Sequence, residues 1–331
     1  MVGGPIAVLG AGSWGTALAN VGARGGNAVK LWARDAAAAA AMAADRENRR
    51  RLPGVQIEGA VVVQSDLAAA VAGAIAILVV VPAQAVRGLC EALTDLVPAG
   101  VPIIVCAKGI ERTSGLLMSE IVETVLPARP PAILSGPSFA GDVSRGLPTA
   151  VTLAAREDSR AAGLAAMLSA PSFRVYHSTD MRGVEIGGAA KNVLAIACGI
   201  AAGRGLGASC GAALVARGFA ELARFGRACG AEAETLTGLS GLGDLVLTCN
   251  STQSRNYSFG LAIGRGESFE RAAQGKVVEG IYTAAILVEK AAALGVDMPI
   301  AASVDAILCG RLSVDDAIEA LLARPQKAEG R

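Results

Sequence analysis

The sequence predicts a two-domain α/β protein: a doubly wound parallel sheet followed by an all-α domain. Short apolar runs rich in β-branched residues alternate with helical segments up to about residue 180, which is typical of parallel strands joined by crossover helices. A glycine turn follows the first run, and beyond residue 180 only helical patterns remain. We therefore expect a first domain over 1–181, a second over 182–323 and a flexible tail over 324–331.

The individual elements follow from local composition. Seven apolar runs are predicted to be buried strands, at residues 6–9, 28–32, 61–63, 75–81, 101–107, 132–135 and 150–153. Helices are predicted between several of them, at 16–23, 36–44, 83–96 and 116–126. The second domain is expected to contain helices at 183–203, 212–229, 284–294 and 314–322.

Composition excludes several classes of protein. Thirty basic and 29 acidic residues give a net charge of +1, so no electrostatic footprint for nucleic acid or anionic lipid is present. The N-terminus lacks the basic segment of a signal peptide, and the uncharged stretch 67–86 changes from Ala-rich to β-branched before Pro82. A short helix leading into a buried strand explains that stretch better than a membrane span. We expect a soluble, cytoplasmic protein.

Cysteine and histidine content argue against a metal site. The seven cysteines show no C-x-x-C spacing and are expected to be reduced, mostly buried thiols. His177 is the only histidine, and we interpret it as a hydrogen-bonded structural residue. No metal is expected.

The glycine turn has the G-x-G-x-x-G pattern of dinucleotide-binding proteins. Gly10 permits the tight turn, Gly12 lets the backbone approach a pyrophosphate, and Gly15 allows close packing of helix on strand. The alternative is an ordinary tight turn in a glycine-rich protein. The position between the first strand and first helix favours a dinucleotide site.

The end of the second strand bears on the choice of cofactor. Arg34 is suited to a 2′-phosphate, and Asp35 to the ribose hydroxyl of NAD. We expect NADP(H), with NAD(H) left open; Arg34 as a solvated loop charge is the alternative.

Two lysines are candidates for catalysis. Lys108 follows an apolar run, which places it at the edge of the sheet where ligands bind; a plain surface charge is equally compatible. Lys191 lies in a helix of apolar and small residues, and its neighbours one turn away cannot pair with an ammonium. We therefore expect its partner to come from another segment or from a ligand, since Glu185 points elsewhere.

Two polar segments add further candidates. Asp244 supplies a carboxylate in glycine-rich surroundings, or else a helix cap. Arg255 lies in a polar run and has the forked donors that grip a phosphate, although an exposed loop is the better explanation from the residues alone.

Together these segments resemble the bacterial-type NAD(P)-dependent glycerol-3-phosphate dehydrogenases. The resemblance follows the family's order along nearly the whole chain. It rests on the segments at residues 10–19 (GAGSWGTALA), 52–54 (LPG), 108–111 (KGIE), 135–140 (SGPSFA), 146–150 (GLPTA), 185–192 (EIGGAAKN), 241–249 (GLGDLVLTC), 254–256 (SRN) and 277–280 (VVEG).

The resemblance implies a Rossmann-type N-terminal domain and a C-terminal domain like that of 6-phosphogluconate dehydrogenase. It also implies reversible reduction of dihydroxyacetone phosphate to sn-glycerol 3-phosphate for glycerophospholipid synthesis, and a homodimer is a further expectation. By resemblance, Lys191 is the catalytic proton donor and acceptor, assisted by Lys108 and Asp244. The implied cofactor contacts are Gly10, Gly12, Ser13, Trp14, Gly15, Arg34, Lys108, Ala140, Arg255, Val277 and Glu279. The implied substrate contacts are Lys108, Gly136, Ser138, Lys191, Asp244, Ser254, Arg255 and Asn256.

The chain departs from the family pattern at several positions. Ala83 replaces the usual serine and Arg51 the usual aromatic residue. Ser209 and Gly211 stand where an asparagine and a basic residue are usual, in a segment that we expect to be a loop near the substrate. Two alternatives stay open: another β-hydroxyacid or 6-phosphogluconate-type dehydrogenase, and a catalytically silent NADPH-binding sensor.

Overall fold

The structure, a computed structural model, describes residues 3–275 and 277–325. Its strands form one eight-stranded sheet and one two-stranded hairpin. The strands are β1 (Ile6–Leu9), β2 (Val29–Trp32), β3 (Glu47–Asn48), β4 (Leu52–Gln56), β5 (Val61–Gln64), β6 (Ala76–Val79), β7 (Ile103–Val105), β8 (Pro131–Ser135), β9 (Thr149–Ala155) and β10 (Phe173–Ser178). The order in the large sheet is β10-β9-β8-β7-β6-β1-β2-β5, and β3 pairs with β4.

Helices cover the sheet and form the second domain. Those of the sheet domain are α1 (Ser13–Arg24), α2 (Ala36–Asp45), α3 (Leu67–Val71), α4 (Val86–Leu93), α5 (Met118–Val125), α6 (Ala140–Ser144) and α7 (Asp158–Leu168), with a 3₁₀ turn at Ala83–Ala85. Those of the helical domain are α8 (Met181–Gly203), α9 (Gly207–Ala228), α10 (Ala233–Thr237), α11 (Asp244–Cys249), α12 (Arg255–Gly264), α13 (Phe269–Ala273), α14 (Glu279–Ala293), α15 (Pro299–Leu308) and α16 (Val314–Leu322), with a π-turn at Leu239–Gly243.

The sheet is buried on both faces, as the continuous apolar runs predict. Along β1, Ile6 and Val8 join one hydrophobic cluster while Ala7 and Leu9 join another on the opposite face. Successive strand residues point to opposite faces, so a strand with no polar position must be covered on both sides. A third cluster forms the core of the helical domain.

The expectation of a parallel sheet is confirmed, with one antiparallel pair. Strands β8 and β9 run antiparallel, with Ser135 opposite Thr152, while the other neighbouring pairs in this sheet are parallel. The chain leaves β8 and re-enters the sheet at the same edge, so no crossover is needed. Consequently residues 136–148, including α6, lie along the carboxyl edge of the parallel strands.

Some elements differ from the sequence predictions. β10 was not predicted, since it is an edge strand carrying polar residues. His177 lies on it with 47% of its side chain exposed and its Nε2 3.4 Å from Asp158 Oδ1. The expected loop at 207–214 is also wrong. The turn after α8 is short, and α9 begins at Gly207, so Ser209 and Gly211 lie in its first turns.

The predicted long apolar helix is confirmed as α8. By length and composition it could cross a membrane, but 83% of its most apolar window is buried inside the protein. A Cβ at Gly199 would lie 2.1 Å from the carbonyl oxygen of Tyr257, so glycine there lets α12 pack against the α8 backbone. At the N-terminus of α8, Asp180 accepts hydrogen bonds from the backbone N–H groups of Gly183 and Glu232 at 2.8 and 2.9 Å. These contacts make α8 the central helix of its domain.

Candidate active site

The glycine turn has the geometry of a phosphate-binding turn. Gly10 has φ +118°, and a Cβ there would lie 2.5 Å from the carbonyl oxygen of Val80. A Cβ at Gly15 would lie 1.8 Å from Gly10 O, so α1 sits directly against the turn. At Gly12, by contrast, a Cβ would meet no atom within 4 Å. Thus Gly10 and Gly15 serve the fold, whereas Gly12 borders open space at the N-terminus of α1, where a pyrophosphate fits.

The β3–β4 hairpin supports this turn from one side. Asn48 is buried and donates from Nδ2 to Ala11 O at 3.0 Å and to Thr16 Oγ1 at 2.8 Å. The Ser13 hydroxyl donates to Arg51 O at 2.6 Å. The hairpin was not predicted, because its strands are short and polar. It places Arg51 next to the first residue of α1.

The two charged residues at the end of β2, Arg34 and Asp35, differ in their surroundings. Arg34 is exposed. Asp35 caps α2, its Oδ1 accepting from Ala37 N and Ala38 N at 3.0 and 3.1 Å. The neighbouring candidate Trp14 packs against Phe173, with 6.4 Å between ring centroids. Arg34 therefore remains the residue at this strand end suited to an anionic ligand group.

Lys191, Lys108 and Asp244 form one buried charge cluster between the domains. The Lys191 ammonium donates to Asp244 Oδ1 and, at 2.9 Å, to Thr248 Oγ1. Lys108 Nζ donates to Asp244 Oδ2 at 2.7 Å and to Gly136 O at 3.0 Å. Asp244 is 1% exposed and Lys191 6%. The expected partner from another segment is thus a carboxylate on α11, shared by lysines from the two domains.

The cluster alters the acidity of its members. Burial lowers the pKa of Lys191 to about 8; the Lys108 ammonium adds to this shift, and Asp244 opposes it. Burial would raise the pKa of the Asp244 carboxyl, but the two ammoniums outweigh it and hold this pKa below its ordinary value. Glu185 is not part of the cluster, as expected, and accepts hydrogen bonds from Ser119 instead. At neutral pH the site therefore holds a readily donated proton on Lys191.

Two asparagines extend the site across the helical domain. Asn256 Nδ2 donates to Asn192 Oδ1 at 2.9 Å, and Asn256 Oδ1 accepts from Gly280 N at 2.9 Å. Asn192 in turn approaches Lys108 O at 3.5 Å. The predicted substrate residue Asn256 is therefore linked to the lysine cluster through Asn192.

The remaining predicted residues surround this centre without forming one contact network. Ser138 donates to Gly136 O at 3.1 Å. Ser254 is buried and caps α12, accepting from Tyr257 N at 3.2 Å, which is a structural task. Arg255 is exposed as the first residue of α12. Ala140 begins α6, and Val277 is 37% exposed.

Glu279 presents an unsatisfied oxygen. Its Oε1 accepts from Ala83 N at 3.2 Å, while Oε2 is buried without a hydrogen-bond partner among the residues that the structure describes. Burial raises the pKa of this carboxyl, against the opposing charge of Arg255. A buried acceptor without a donor is costly, so a ligand that donates a hydrogen bond fits here.

Thr248 contacts Lys191, although no pattern in the sequence singles it out. It lies one turn after Asp244 on α11, so the two side chains share a face. That spacing was the signal available, but a threonine one turn after a carboxylate is too common to single out.

A Rossmann-type sheet with an open glycine turn, facing a helical domain that contributes a buried lysine, defines an NAD(P)-dependent oxidoreductase. Comparison with known proteins identifies its family. The family model for the N-terminus of NAD-dependent glycerol-3-phosphate dehydrogenase matches residues 5–161, and the model for its C-terminus matches residues 180–319. The chain belongs to this family.

Individual relatives agree with this assignment. The chain is 61% identical over 324 residues to glycerol-3-phosphate dehydrogenase [NAD(P)+] of Azorhizobium caulinodans, with 98% of both proteins covered. It is 60% identical over 326 residues to the protein of the same name from Methylobacterium radiotolerans, again with 98% of both covered. A crystal structure of glycerol-3-phosphate dehydrogenase from Coxiella burnetii superimposes with a TM-score of 0.93 at 42% identity, covering 97% of this chain and 99% of that one. The predicted family, dehydrogenase class and NAD(P) dependence are confirmed.

Proposed function

We propose that this chain reduces dihydroxyacetone phosphate to sn-glycerol 3-phosphate with Lys191 as the proton donor, and runs the reverse reaction with Lys191 as base. The proposal depends on one observation: the buried Lys191 ammonium pairs with Asp244, and Lys108 pairs with the same carboxylate. The reaction supplies glycerol phosphate for glycerophospholipid synthesis.

Gly12 would hold the pyrophosphate of a bound cofactor, and Arg34 would hold the 2′-phosphate of NADPH. The cofactor would supply a hydride to the ketone carbon. Glu279 Oε2 offers a hydrogen-bond acceptor for a donor group of the cofactor. Negative charge develops on the ketone oxygen as the hydride arrives. The Lys191 ammonium stabilises that charge and gives up a proton to the oxygen. With a pKa of about 8, Lys191 is about ten parts ammonium to one part amine at pH 7, so it is ready to donate.

The other polar residues are proposed to orient the substrate. Lys108 and Asp244 hold Lys191 in place and set its acidity. Arg255 and Asn256 lie at the N-terminus of α12, where forked donors and helix N–H groups favour an anionic phosphate. Gly136 and Ser138 contribute the wall at the carboxyl edge of the sheet.

Substitution of Lys191 by methionine tests this proposal. We expect turnover to fall by at least about a hundredfold, in the range of a lost general acid, while NADPH binding measured by nucleotide fluorescence is unchanged. Lys290→Met, on α14, is the matched control and should retain activity. Near-normal turnover of Lys191→Met would refute the role given to this lysine.

Substrate choice is tested by NADPH oxidation with and without dihydroxyacetone phosphate. The proposal requires oxidation only with that substrate. Nucleotide binding without any turnover would indicate a sensor, and turnover restricted to 6-phosphogluconate with NADP⁺ would indicate the other dehydrogenase class.

The proposal extends to organisation and location. The domain boundary at 181/182 is supported by the end of β10 at Ser178 and the start of α8 at Met181. The expected tail, 324–331, falls largely outside the described residues. A homodimer is also part of the proposal, and light scattering tests it. A cytoplasmic location fits the seven unpaired cysteines.

A further inference from the structure

One stripe of α8 contacts the sheet domain at three successive levels. Glu185, Gly188 and Asn192 are spaced i, i+3 and i+7, so they lie on one face of the helix. A Cβ at Gly188 would lie 2.9 Å from Ser135 Oγ, and Asn192 reaches the carbonyl of Lys108. Lys191 lies on the adjacent face, toward α11. The contacts of this stripe fix the rotation of α8 and its position along its own axis relative to the sheet domain. They therefore determine where the Lys191 ammonium lies.

Glu185 makes the strongest polar contact of the stripe. Its carboxylate accepts from Ser119 N at 2.7 Å and from the Ser119 hydroxyl at 2.5 Å, and the side chain is buried. Ser119 is the second residue of α5, where a backbone N–H has no partner within the helix. Glu185 thus caps a helix of the other domain. Burial raises its pKa to about 7, against the two hydrogen bonds from Ser119.

The helix capped by Glu185 ends the loop that carries Lys108. This loop runs from β7 to α5 and is held in its middle by Glu111, which is buried and pairs with both Nε and Nη2 of Arg87 at 2.8 Å. Gln84 bridges the same loop. Its side-chain amide donates to Ile110 O at 2.8 Å and accepts from Arg112 N at 2.9 Å. The sheet domain thereby fixes the loop internally, and Glu185 fixes its far end to α8.

We propose that Glu185 is a positioning residue: by capping α5 through Ser119, it sets the placement of the Lys191 helix against the Lys108 loop so that both ammoniums meet Asp244. The inference rests on the proposed function, since it concerns the geometry of that lysine pair. It assigns to Glu185 no contact with substrate or cofactor.

Glu185→Gln is the first test. The amide oxygen can still accept from Ser119 N, but the amide N–H group faces the Ser119 hydroxyl, which must reverse and become an acceptor. The cap therefore loses its charge and is weakened with little change of volume. We expect kcat for dihydroxyacetone phosphate reduction to fall about ten- to a hundredfold, as for a small misplacement of a reacting group. NADPH affinity should be unchanged. Ser119→Ala, which keeps the backbone donor, should give a smaller loss and is the variant to use if Glu185→Gln folds poorly.

Glu221→Gln is the matched control. Glu221 is also buried, its pKa is likewise raised to about 7 by burial, and it caps α15 by accepting from Ile300 N and Ala301 N at 2.8 and 3.2 Å. That cap joins two helices within the helical domain. We expect Glu221→Gln to lower the melting temperature as Glu185→Gln does, with kcat unchanged. Equal loss of kcat in both variants would mean that Glu185 is merely structural, and would overturn the proposal.

A double-mutant cycle with Lys108→Met distinguishes the mechanism. If Glu185 acts by aligning Lys108 with Lys191, its substitution should have little further effect once Lys108 is gone. Effects of the two substitutions that simply multiply would overturn the proposal. Lys191→Met is measured in parallel. If that variant is inactive while Glu185→Gln has wild-type kcat, only the positioning role fails; if Lys191→Met is active, the proposed function fails instead.

Discussion

Replacement of Asp244 by asparagine is the sharpest test of how the site sets the acidity of Lys191. The substitution keeps the shape of the side chain and removes one negative charge from a position that is 1% exposed. Unit charges about 4 Å apart attract by roughly 4 kcal/mol at an effective dielectric constant near 20. Since about 1.4 kcal/mol corresponds to one pKa unit, loss of the carboxylate lowers the pKa of Lys191 by at most about three units.

The consequence for turnover follows from the starting pKa of about 8. A drop of about two units changes the ratio of ammonium to amine at pH 7 from about 10:1 to about 1:10, so the protonated fraction falls roughly tenfold. Reduction of the ketone needs the ammonium, so its rate declines as pH rises through this pKa. We therefore expect the descending limb of kcat/KM against pH to move from about 8 toward more acidic pH in Asp244→Asn.

The assay is the initial rate of NADPH oxidation with limiting dihydroxyacetone phosphate between pH 5 and 9. Lys108→Met supplies a control of opposite sign, because removing a like charge should move the same limb to higher pH. A limb that stays near 8 in both variants would show that neither neighbour controls the proton, and would refute this account. Asp244→Asn should also be less stable by roughly 3 kcal/mol, since it leaves buried ammoniums without their counter-charge.

Three further predictions concern the glycine turn and the end of β2. Arg34→Ala should raise the Kd for NADPH about tenfold and leave that for NADH unchanged, because only NADPH carries the 2′-phosphate that a charged donor would hold; equal effects in fluorescence titrations with the two cofactors would contradict this. Gly10→Ala should lower the free energy of unfolding in urea by roughly 1–3 kcal/mol, because φ +118° and the contact with Val80 O both exclude a side chain. A Cβ at Gly12 meets open space, so Gly12→Ala should fold with wild-type stability but bind NADPH weakly. The opposite result for the two variants would show that the roles given to Gly10 and Gly12 are wrong.

Local sequence predicted the parts of the fold whose causes are local. Buried parallel strands such as β1 appear as short continuous apolar runs, and the glycine turn is defined by spacing alone. The hairpin β3–β4 and the edge strand β10 have no such signature, because polar residues are tolerated where one side meets solvent. The helical start of α9 was missed for a related reason. Small residues and glycine are compatible with either a loop or a helix, and the tight turn before Gly207 decided between them.

The candidate site divides in the same way. That Lys191 required a partner could be predicted, since an ammonium on an apolar helix is costly to leave unpaired. Which carboxylate forms the pair depends on tertiary packing, because Asp244 is 53 positions away in the sequence. Only the glycine-rich residues around Asp244 marked it as a candidate. Ser254 adds a role that the sequence does not show, because nothing in a polar run reveals that a hydroxyl caps a helix. Spacing predicts which chemistry is available, and packing decides which residues perform it.

The sharing of one carboxylate by two lysines links acidity to domain contact. Within the cluster two ammoniums face a single carboxylate, so a positive charge remains to stabilise the oxygen on which negative charge develops. Lys191 and Asp244 both come from the helical domain, and they alone would form a neutral pair in which the carboxylate raises the pKa of the lysine. Lys108 is contributed by the sheet domain, and its charge lowers that pKa. The contact of Lys108 with Asp244 therefore both joins the two domains and lowers the pKa of Lys191, and a loosened Glu185 cap would reduce both effects together.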